Sequence, residues 1–414
     1  MTESVHLLRP IGIKSQVVNF QALPPLALYI HIPWCVRKCP YCDFNSHEVK
    51  SASPLRGEGR GEGGLSESLE QQYVAALTRD LEMALPQIWG RKVYSVFIGG
   101  GTPSLLSGYA LGEILRQVKM LLPLTLNAEI TLEANPGTVE ADKFAAFADA
   151  GVNRLSLGIQ SFNDAHLKAL GRIHSAEEAR AAIKIARQHF DNINLDLMYA
   201  LPGQTLDEAL QDIRAALAFA PQHLSAYHLT LEPNTLFHHD PPQLPDDDAS
   251  ADMQQAIEAL LAEHGYQHYE TSAFAQPARR AKHNLNYWQF GDYLGIGAGA
   301  HSKLSFPDKI IRQARYKQPQ AYIQQVAAGA PVQTENAVTR AELPFEFMMN
   351  ALRLNEGFEA ALFTERTSLP LLAIQRELLV AEKRGLLTRD HQRIAPTPQG
   401  RRFLNDLLEI FLAD

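Results

Sequence analysis

At 414 residues, 46% hydrophobic and 20% charged, with a mean hydropathy of -0.18, the chain falls outside the disordered and fibrous classes. Its 38 Lys and Arg against 46 Asp and Glu give a formal charge of -8, without the basic footprint that a nucleic-acid binder carries. No apolar run reaches the ~18 residues of a transmembrane helix and the N-terminus lacks the basic start and apolar core of a signal peptide, so a cytoplasmic protein of two or three domains is expected.

Residues 1–25 read as an N-terminal extension. From 26 to 240, short β-branched or aromatic runs alternate with helical patterns. Strands are predicted over 26–32, 93–98, 129–133, 154–159, 193–198 and 224–229, and helices over 69–85, 108–121, 140–149, 176–190 and 206–219. This alternation argues for an α/β fold with a parallel sheet and helices outside it. Six units fit an incomplete (β/α)6 barrel, whose chemistry sits at the C-terminal strand ends. A doubly wound sheet is the competitor, weakened because no GxGxxG follows any of the six strands. Residues 51–68 are Gly/Ser-rich and aperiodic, a flexible surface insertion.

Residues 241–340 read as a barrel-completing and linker region, with a helix near 253–264 after the acidic run Asp246–Asp248. From 341 to 414 the pattern changes to helices over 345–354, 370–382 and 399–412, with Pro370 suited to a first helical position. A hairpin near 385–395 completes a mostly helical, winged-helix-like domain. Residues 340–414 hold 10 Lys and Arg against 11 Asp and Glu, so this module reads as packing or partner-binding rather than nucleic-acid-binding. The apolar positions of its last helix, Phe403, Leu404, Leu407, Leu408 and Phe411, are read as packing on the module, because a membrane-surface helix carries a basic polar face.

The three cysteines, Cys35, Cys39 and Cys42, fall within eight residues. An odd, clustered set is no disulfide framework. CxxxCxxC places three thiolates on a loop that wraps one centre; they can hold three irons of a 4Fe-4S cluster and leave the fourth open to an exchangeable ligand. The alternative is a structural zinc site completed by His31 or His47, but the second CxxC of a zinc ribbon is absent. Gly99-Gly100-Gly101-Thr102-Pro103, Glu133, Gln160 and Asp196 stand at or in the other strands, so five strand ends converge on one mouth. A carboxylate such as Asp196 in an apolar strand is costly if unpaired.

YIHIPWCVRKCPYCDF, GGGTPS, LEANPG and LGIQSF together resemble the radical S-adenosylmethionine superfamily. Within it the chain is similar to the coproporphyrinogen dehydrogenase-like group and its relatives, the HemW-type haem chaperones, from about Leu26 to the C-terminus. The resemblance implies a radical S-adenosylmethionine barrel with a 4Fe-4S cluster on Cys35, Cys39 and Cys42. It assigns S-adenosylmethionine contacts to Tyr29, Gly100, Gly101, Thr102, Glu133, Gln160, Arg172 and Asp196, with the main chain around Tyr41 and Phe44 beside the adenine. Glu133 and Asp196 suit an amine or ribose hydroxyls, and Arg172 suits a carboxylate.

The dehydrogenase pattern places a fourth cysteine two positions beyond the third, where this chain has Phe44, a departure that weighs against decarboxylase activity. His283-Asn284-Leu285-Asn286-Tyr287-Trp288 is the HNxxYW mark of the chaperone type and implies haem as cargo. His283 is then the candidate axial ligand, with His301 second, and Tyr287 and Trp288 cover a porphyrin face. The expected function is a haem chaperone that passes haem to an acceptor such as a membrane-bound respiratory haem protein, through peripheral contact at most. The alternative is oxygen-independent oxidative decarboxylation of coproporphyrinogen III.

Overall fold

In the computed structural model, which describes residues 19–49, 65–138 and 141–412, the run LALYIHI forms β1 (Leu26–Ile32), buried at every position but Tyr29. Burial on both faces is what a central parallel strand requires. Five parallel strands follow beside it: β2 (Val93–Gly100), β3 (Leu124–Ala134), β4 (Arg154–Gln160), β5 (Ile193–Tyr199) and β6 (His223–His228). Between them run α1 (Glu67–Ala84), α2 (Gly108–Leu121), α3 (Ala141–Ala150), α4 (Asp164–Ala169), α5 (Ala176–His189) and α6 (Leu206–Leu217). Ser66, Ser107, Ser175 and Thr205 cap α1, α2, α5 and α6 with their hydroxyls, satisfying amide donors that a helix start leaves orphaned. Leu77, Leu111, Leu115, Phe147, Ile183 and Ile213 bury the inner stripes of these helices against Val96, Ile98, Leu132 and Leu157 of the sheet.

The sheet extends past the predicted six strands. β7 (Gln267–Glu270) and β8 (Ala273–Ala275) add antiparallel strands beyond β6. On the other side β9 (Asp292–Ile296) lies parallel to β1, followed by antiparallel β10 (His301–Phe306), β11 (Lys309–Arg315) and β12 (Val332–Ala337). The order β12-β11-β10-β9-β1-β2-β3-β4-β5-β6-β8-β7 is an open arc, an incomplete barrel with seven parallel strands at its centre.

The C-terminal module comprises helices Leu343–Ala351, Ala360–Thr367 and Gln375–Lys383 and a small antiparallel sheet of β13 (Phe358–Glu359), β14 (Leu387–Arg389) and β15 (Arg393–Pro396). Its core, built on Phe347, Phe363, Leu378 and Ile394, also takes in Phe20, Phe290 and Ile310, so the described end of the extension and the sheet edge pack into it. Leu407 and Phe411 are buried in that core, whereas Phe403 is exposed.

Several boundaries differ from the sequence reading. The helix predicted at 253–264 starts at Asp247, because Asp246 caps it and Asp247 and Asp248 fill its first turn, where the helix dipole favours acids. Pro370 sits in extended backbone before the short 3-10 turn Leu371–Ile374 rather than inside a helix. The last predicted helix breaks at Phe403 into Pro398–Arg402 and Leu404–Glu409. Most of the insertion, residues 51–64, lies outside the described residues, as do residues 1–18; its last positions, Glu67 and Ser68, belong to α1.

A buried polar knot holds the back of the barrel. Arg315 of β11 reaches Asp80 of α1 at 3.1 Å, with both side chains almost wholly enclosed. Tyr322 donates to the same carboxylate (2.9 Å). Tyr73 of α1 donates to His31 O (2.8 Å) and accepts from the Ala298 amide (2.8 Å). The knot thus ties α1 and β11 to the end of β1. Removing one partner of a buried pair leaves an uncompensated charge, so Arg315→Met is expected to cost roughly 3–5 kcal/mol in chemical denaturation. Adding Asp80→Leu is expected to recover part of that loss; a single-variant loss under about 1 kcal/mol would contradict the role given to the pair.

Candidate cofactor and ligand site

The mouth of the barrel is built where β2 ends in three glycines. The Gly101 amide donates to Ile32 O (2.8 Å) and the Thr102 amide to Trp34 O (2.7 Å), stitching this turn to the start of the cysteine loop. A Cβ at Gly101 would lie 2.4 Å from Trp34 O, and one at Gly100, where φ is +116°, would lie 2.5 Å from the His31 ring. Only glycine permits both the approach and the conformation. Beyond the turn, Trp34 and Cys35 pair in parallel with His47 and Glu48, and the Cys42 amide closes on Cys39 O (3.1 Å).

Two of the three thiols meet a polar side chain. Thr102 Oγ1 lies 3.5 Å from Cys35 Sγ and Arg172 Nη1 lies 3.6 Å from Cys39 Sγ. Asn135 orients both of these groups: its Nδ2 donates to Thr102 Oγ1 (2.9 Å) and its Oδ1 accepts from Arg172 Nη2 (2.6 Å). Arg172 also donates to Gly158 O (2.9 Å), while its buried Nε has no partner among the described residues. Burial pushes the Cys35 and Cys42 thiols up, so binding a metal centre there must draw off their protons.

Two carboxylates face the opening. Glu133 accepts from the Gly100 amide (3.1 Å), and burial together with the charge of Asp196 pushes its pKa up to about 7. Asp196 is paired through Ser156 Oγ (2.8 Å) and Asn194 Nδ2 (2.8 Å), which answers the cost of a carboxylate in an apolar strand. On β1, Tyr29 OH lies 2.9 Å from His31 Nδ1, and His31 Nε2 lies 2.9 Å from Asn45 O. A carbonyl only accepts, so Nε2 carries the proton and Tyr29 donates to Nδ1. Asn45 in turn donates to Ala298 O and Lys317 O, each at 2.9 Å, anchoring the far limb of the cysteine loop.

Two cavities open here. The first, about 450 Å³, is lined by the three cysteines and by Tyr41, Phe44, Gly100, Gly101, Thr102, Glu133, Gln160, Arg172 and Asp196. The structure thereby brings together all the sequence-predicted contacts except Tyr29. That residue lines the second cavity, about 680 Å³, together with His31, His47, Tyr287, Tyr293 and His301. The cavities share Asp43, Phe44, Ser46, Gly100 and Glu133 as a common wall.

A radical SAM superfamily model matches residues 29–216, and a HemN C-terminal domain model matches residues 338–403. The haem chaperone HemW of Escherichia coli is 49% identical over 95% of this chain and 99% of its own length, and that of Haemophilus influenzae is 47% identical over 95% and 99%. The chain belongs to the HemW family. More distantly, HemW of Bacillus subtilis is 33% identical over 93% of the chain and 99% of its own. The solved structure of coproporphyrinogen III oxidase (HemN) from Escherichia coli superposes with a TM-score of 0.77 at 24% identity, covering 94% of this chain and 90% of that one, which fixes the shared fold.

Membership in the radical SAM superfamily brings a 4Fe-4S cluster and S-adenosylmethionine as cofactors, and the first cavity fits them. It combines three thiols on one short loop, an orphaned Arg172 donor and a backbone cradle that a Cβ would fill. Among the described residues no three Cys, His, Asp or Glu side chains gather tightly enough to enclose a single metal ion. A four-iron cluster makes a different demand, since each thiol binds its own iron.

The four haem candidates do not converge. His283, in helix Lys282–Trp288, is 3% exposed, hydrogen-bonded to Ser95 Oγ (3.0 Å) and stacked on Phe97 at 4.9 Å. It lines neither of the two mouth cavities. Trp288 points to the C-terminal module, under the guanidinium of Arg353 at 4.4 Å. Tyr287 and His301 alone reach the second cavity. Sequence reasoning missed Asn135 and Asn45, although Asn135 lies inside the quoted LEANPG; Asn45, three residues beyond Cys42, carried no signal of its own.

The raised Glu133 pKa has a measurable consequence in protein free of S-adenosylmethionine. Its stabilising contribution is present below the ordinary value of 4.5 and is lost as pH rises towards about 7. The full loss is about 3 kcal/mol at most. Glu133→Gln is therefore expected to gain stability over the parent between those two pH values and to hold a constant advantage above them, read by chemical denaturation across pH. An advantage that shrinks as pH rises would contradict this assignment.

Proposed function

We propose that this chain is a haem chaperone that holds haem beside an S-adenosylmethionine-ligated 4Fe-4S cluster and passes it to an acceptor such as a membrane-bound respiratory haem protein. The observation that carries the reading is near-full-length kinship with relatives named haem chaperone HemW, at 49% identity for the Escherichia coli protein. In this reading Cys35, Cys39 and Cys42 would hold the cluster, and S-adenosylmethionine would be held beside it. Together the two cofactors supply electron-driven cleavage of a sulfonium, the source of radical chemistry in the superfamily. The chain's own residues bind and orient: Glu133 and Asp196 take the amine or the ribose hydroxyls, Arg172 the carboxylate, and the Gly100–Gly101 turn lets the ligand lie against backbone. A cytoplasmic location belongs to the proposal, with acceptor contact made at the membrane surface; no described helix is long and apolar enough to cross a membrane.

The second reading, oxidative decarboxylation of coproporphyrinogen III, has the shared fold in its favour. Against it stands Phe44 at the position of the dehydrogenase pattern's fourth cysteine. Anaerobic haem titration of cluster-reconstituted protein, followed at the Soret band, separates the readings. Saturation near about one haem per chain is expected, with no protoporphyrinogen formed from coproporphyrinogen III in the presence of reductant and S-adenosylmethionine. Turnover without saturable haem binding would overturn the chaperone reading in favour of the enzyme.

A further inference from the structure

The two cavities at the mouth divide charge between them. The first sets Glu133, Asp196, Asp43 and Glu232 against Arg37 and Arg172. The second, in a chain of formal charge -8, presents Lys38 and Lys317 with the imidazoles of His31, His47 and His301, against only Asp43 and Glu133. Its remaining broad surfaces are aromatic: Tyr29, Tyr287, Tyr293 and Phe44. A ligand bearing a sulfonium and an amine suits the first set. A planar apolar ligand with carboxylates at one edge suits the second, because aromatic faces cover a macrocycle while ammonium groups grip its acids.

We propose that the second cavity is the haem site, with the macrocycle against Tyr287, Tyr293 and Phe44, the propionates on Lys317 and Lys38, and the iron facing His301. The proposal rests on the haem-chaperone reading and moves the axial ligand from His283 to His301. Hydrogen bonding and access to the cavity together select among the histidines. His31 is engaged at both ring nitrogens, by Tyr29 and Asn45. His47 Nε2 lies 3.3 Å from Lys317 O, and His283, although its Nε2 has no partner among the described residues, is enclosed within the barrel and does not line the cavity. His301 is exposed, lines the cavity, and makes no ring hydrogen bond to any described residue.

The lysines are placed for the acids. Lys317 has its carbonyl fixed by Asn45 and His47, while its ammonium forms no ion pair among the described residues. Lys38 Nζ reaches Phe44 O at 3.2 Å, at the wall between the cavities. Phe44 is itself 61% exposed and lines both. The aromatic ring standing where the dehydrogenase pattern has cysteine thus offers a face to the macrocycle and no thiol to the reaction.

The test compares haem with its propionate dimethyl ester as probes on cluster-reconstituted, full-length protein, for the parent chain and for Lys317→Glu, His301→Ala and His283→Ala. Lys317→Glu is expected to weaken haem binding about tenfold or more and the ester far less, since one charge-assisted contact is lost and a repulsion added. His301→Ala is expected to shift the ferric Soret maximum and remove the axial-histidine signature in electron paramagnetic resonance. His283→Ala is expected to leave both spectra in place. Iron and sulfide content and S-adenosylmethionine binding, unchanged in each variant, establish that it is folded; if the His283→Ala chain fails this control, Lys317→Glu and His301→Ala decide between the two placements. Unaltered haem affinity in Lys317→Glu, or an unaltered spectrum in His301→Ala, would overturn the placement while haem binding by the parent chain stands. No saturable haem binding by the parent chain would overturn the chaperone reading itself.

Discussion

Everything at the mouth depends on backbone touching backbone. The amides of Gly101 and Thr102 sit on the carbonyls of Ile32 and Trp34, and no side chain fits between the two segments. That contact sets Thr102 beside Cys35, turns the Gly100 amide towards Glu133, and leaves the cysteine loop standing over the strand ends. The loop's other limb is secured by Asn45 on Ala298 and Lys317. A cluster loop held at both ends has little freedom left to lose on binding its metal centre, which is how a fold preorganises a cofactor site.

The inner face of the barrel carries polar groups in place of a dry core, and one set of them is mutually hydrogen-bonded. His223 bridges Asn194 (2.6 Å) and Tyr269 (2.9 Å), and Asn194 reaches Ser156 and Asp196. Buried groups arranged this way avoid the cost of lost hydration. The exceptions are informative. Burial and then the charge of Asp196 push the Glu133 carboxyl towards the neutral form, against the single backbone donor from Gly100. Arg172 keeps an orphaned Nε beside the thiols. Both groups line the first cavity beside the thiols, where a bound ligand can complete their set of partners.

Six of the seven parallel strands were legible because they read as short apolar or β-branched runs between helical patterns; the seventh, β9, was not. Predicted residues 26–32 coincide with β1, and 108–121 with α2. Nor were the antiparallel strands. In β10 and β11 the buried face carries Lys303, Ser305, Gln313 and Arg315, polar residues whose charged partners lie in other elements. Lys303 lies 3.0 Å from Asp292 and 4.0 Å from the Phe290 ring centroid, and Arg315 finds Asp80 across 235 positions. Hydropathy cannot register burial that partners in other elements make possible. The site shows the same division. Motif spacing located the cysteines, glycines and carboxylates, but not the direction of the HNLNYW side chains. On one short helix His283 enters the barrel, Tyr287 turns to the second cavity, and Trp288 goes to the C-terminal module.

In the proposed arrangement two ligands lie side by side, a cluster with S-adenosylmethionine in one cavity and haem in the next, across a wall that includes Phe44 and Glu133. Adjacency of two paramagnetic centres is directly observable. The reduced cluster's electron paramagnetic resonance signal should relax markedly faster, and broaden, when paramagnetic haem saturates the protein, and should recover when a diamagnetic zinc porphyrin replaces it. A cluster signal indifferent to saturating haem would place the haem away from the mouth and contradict the paired-cavity arrangement.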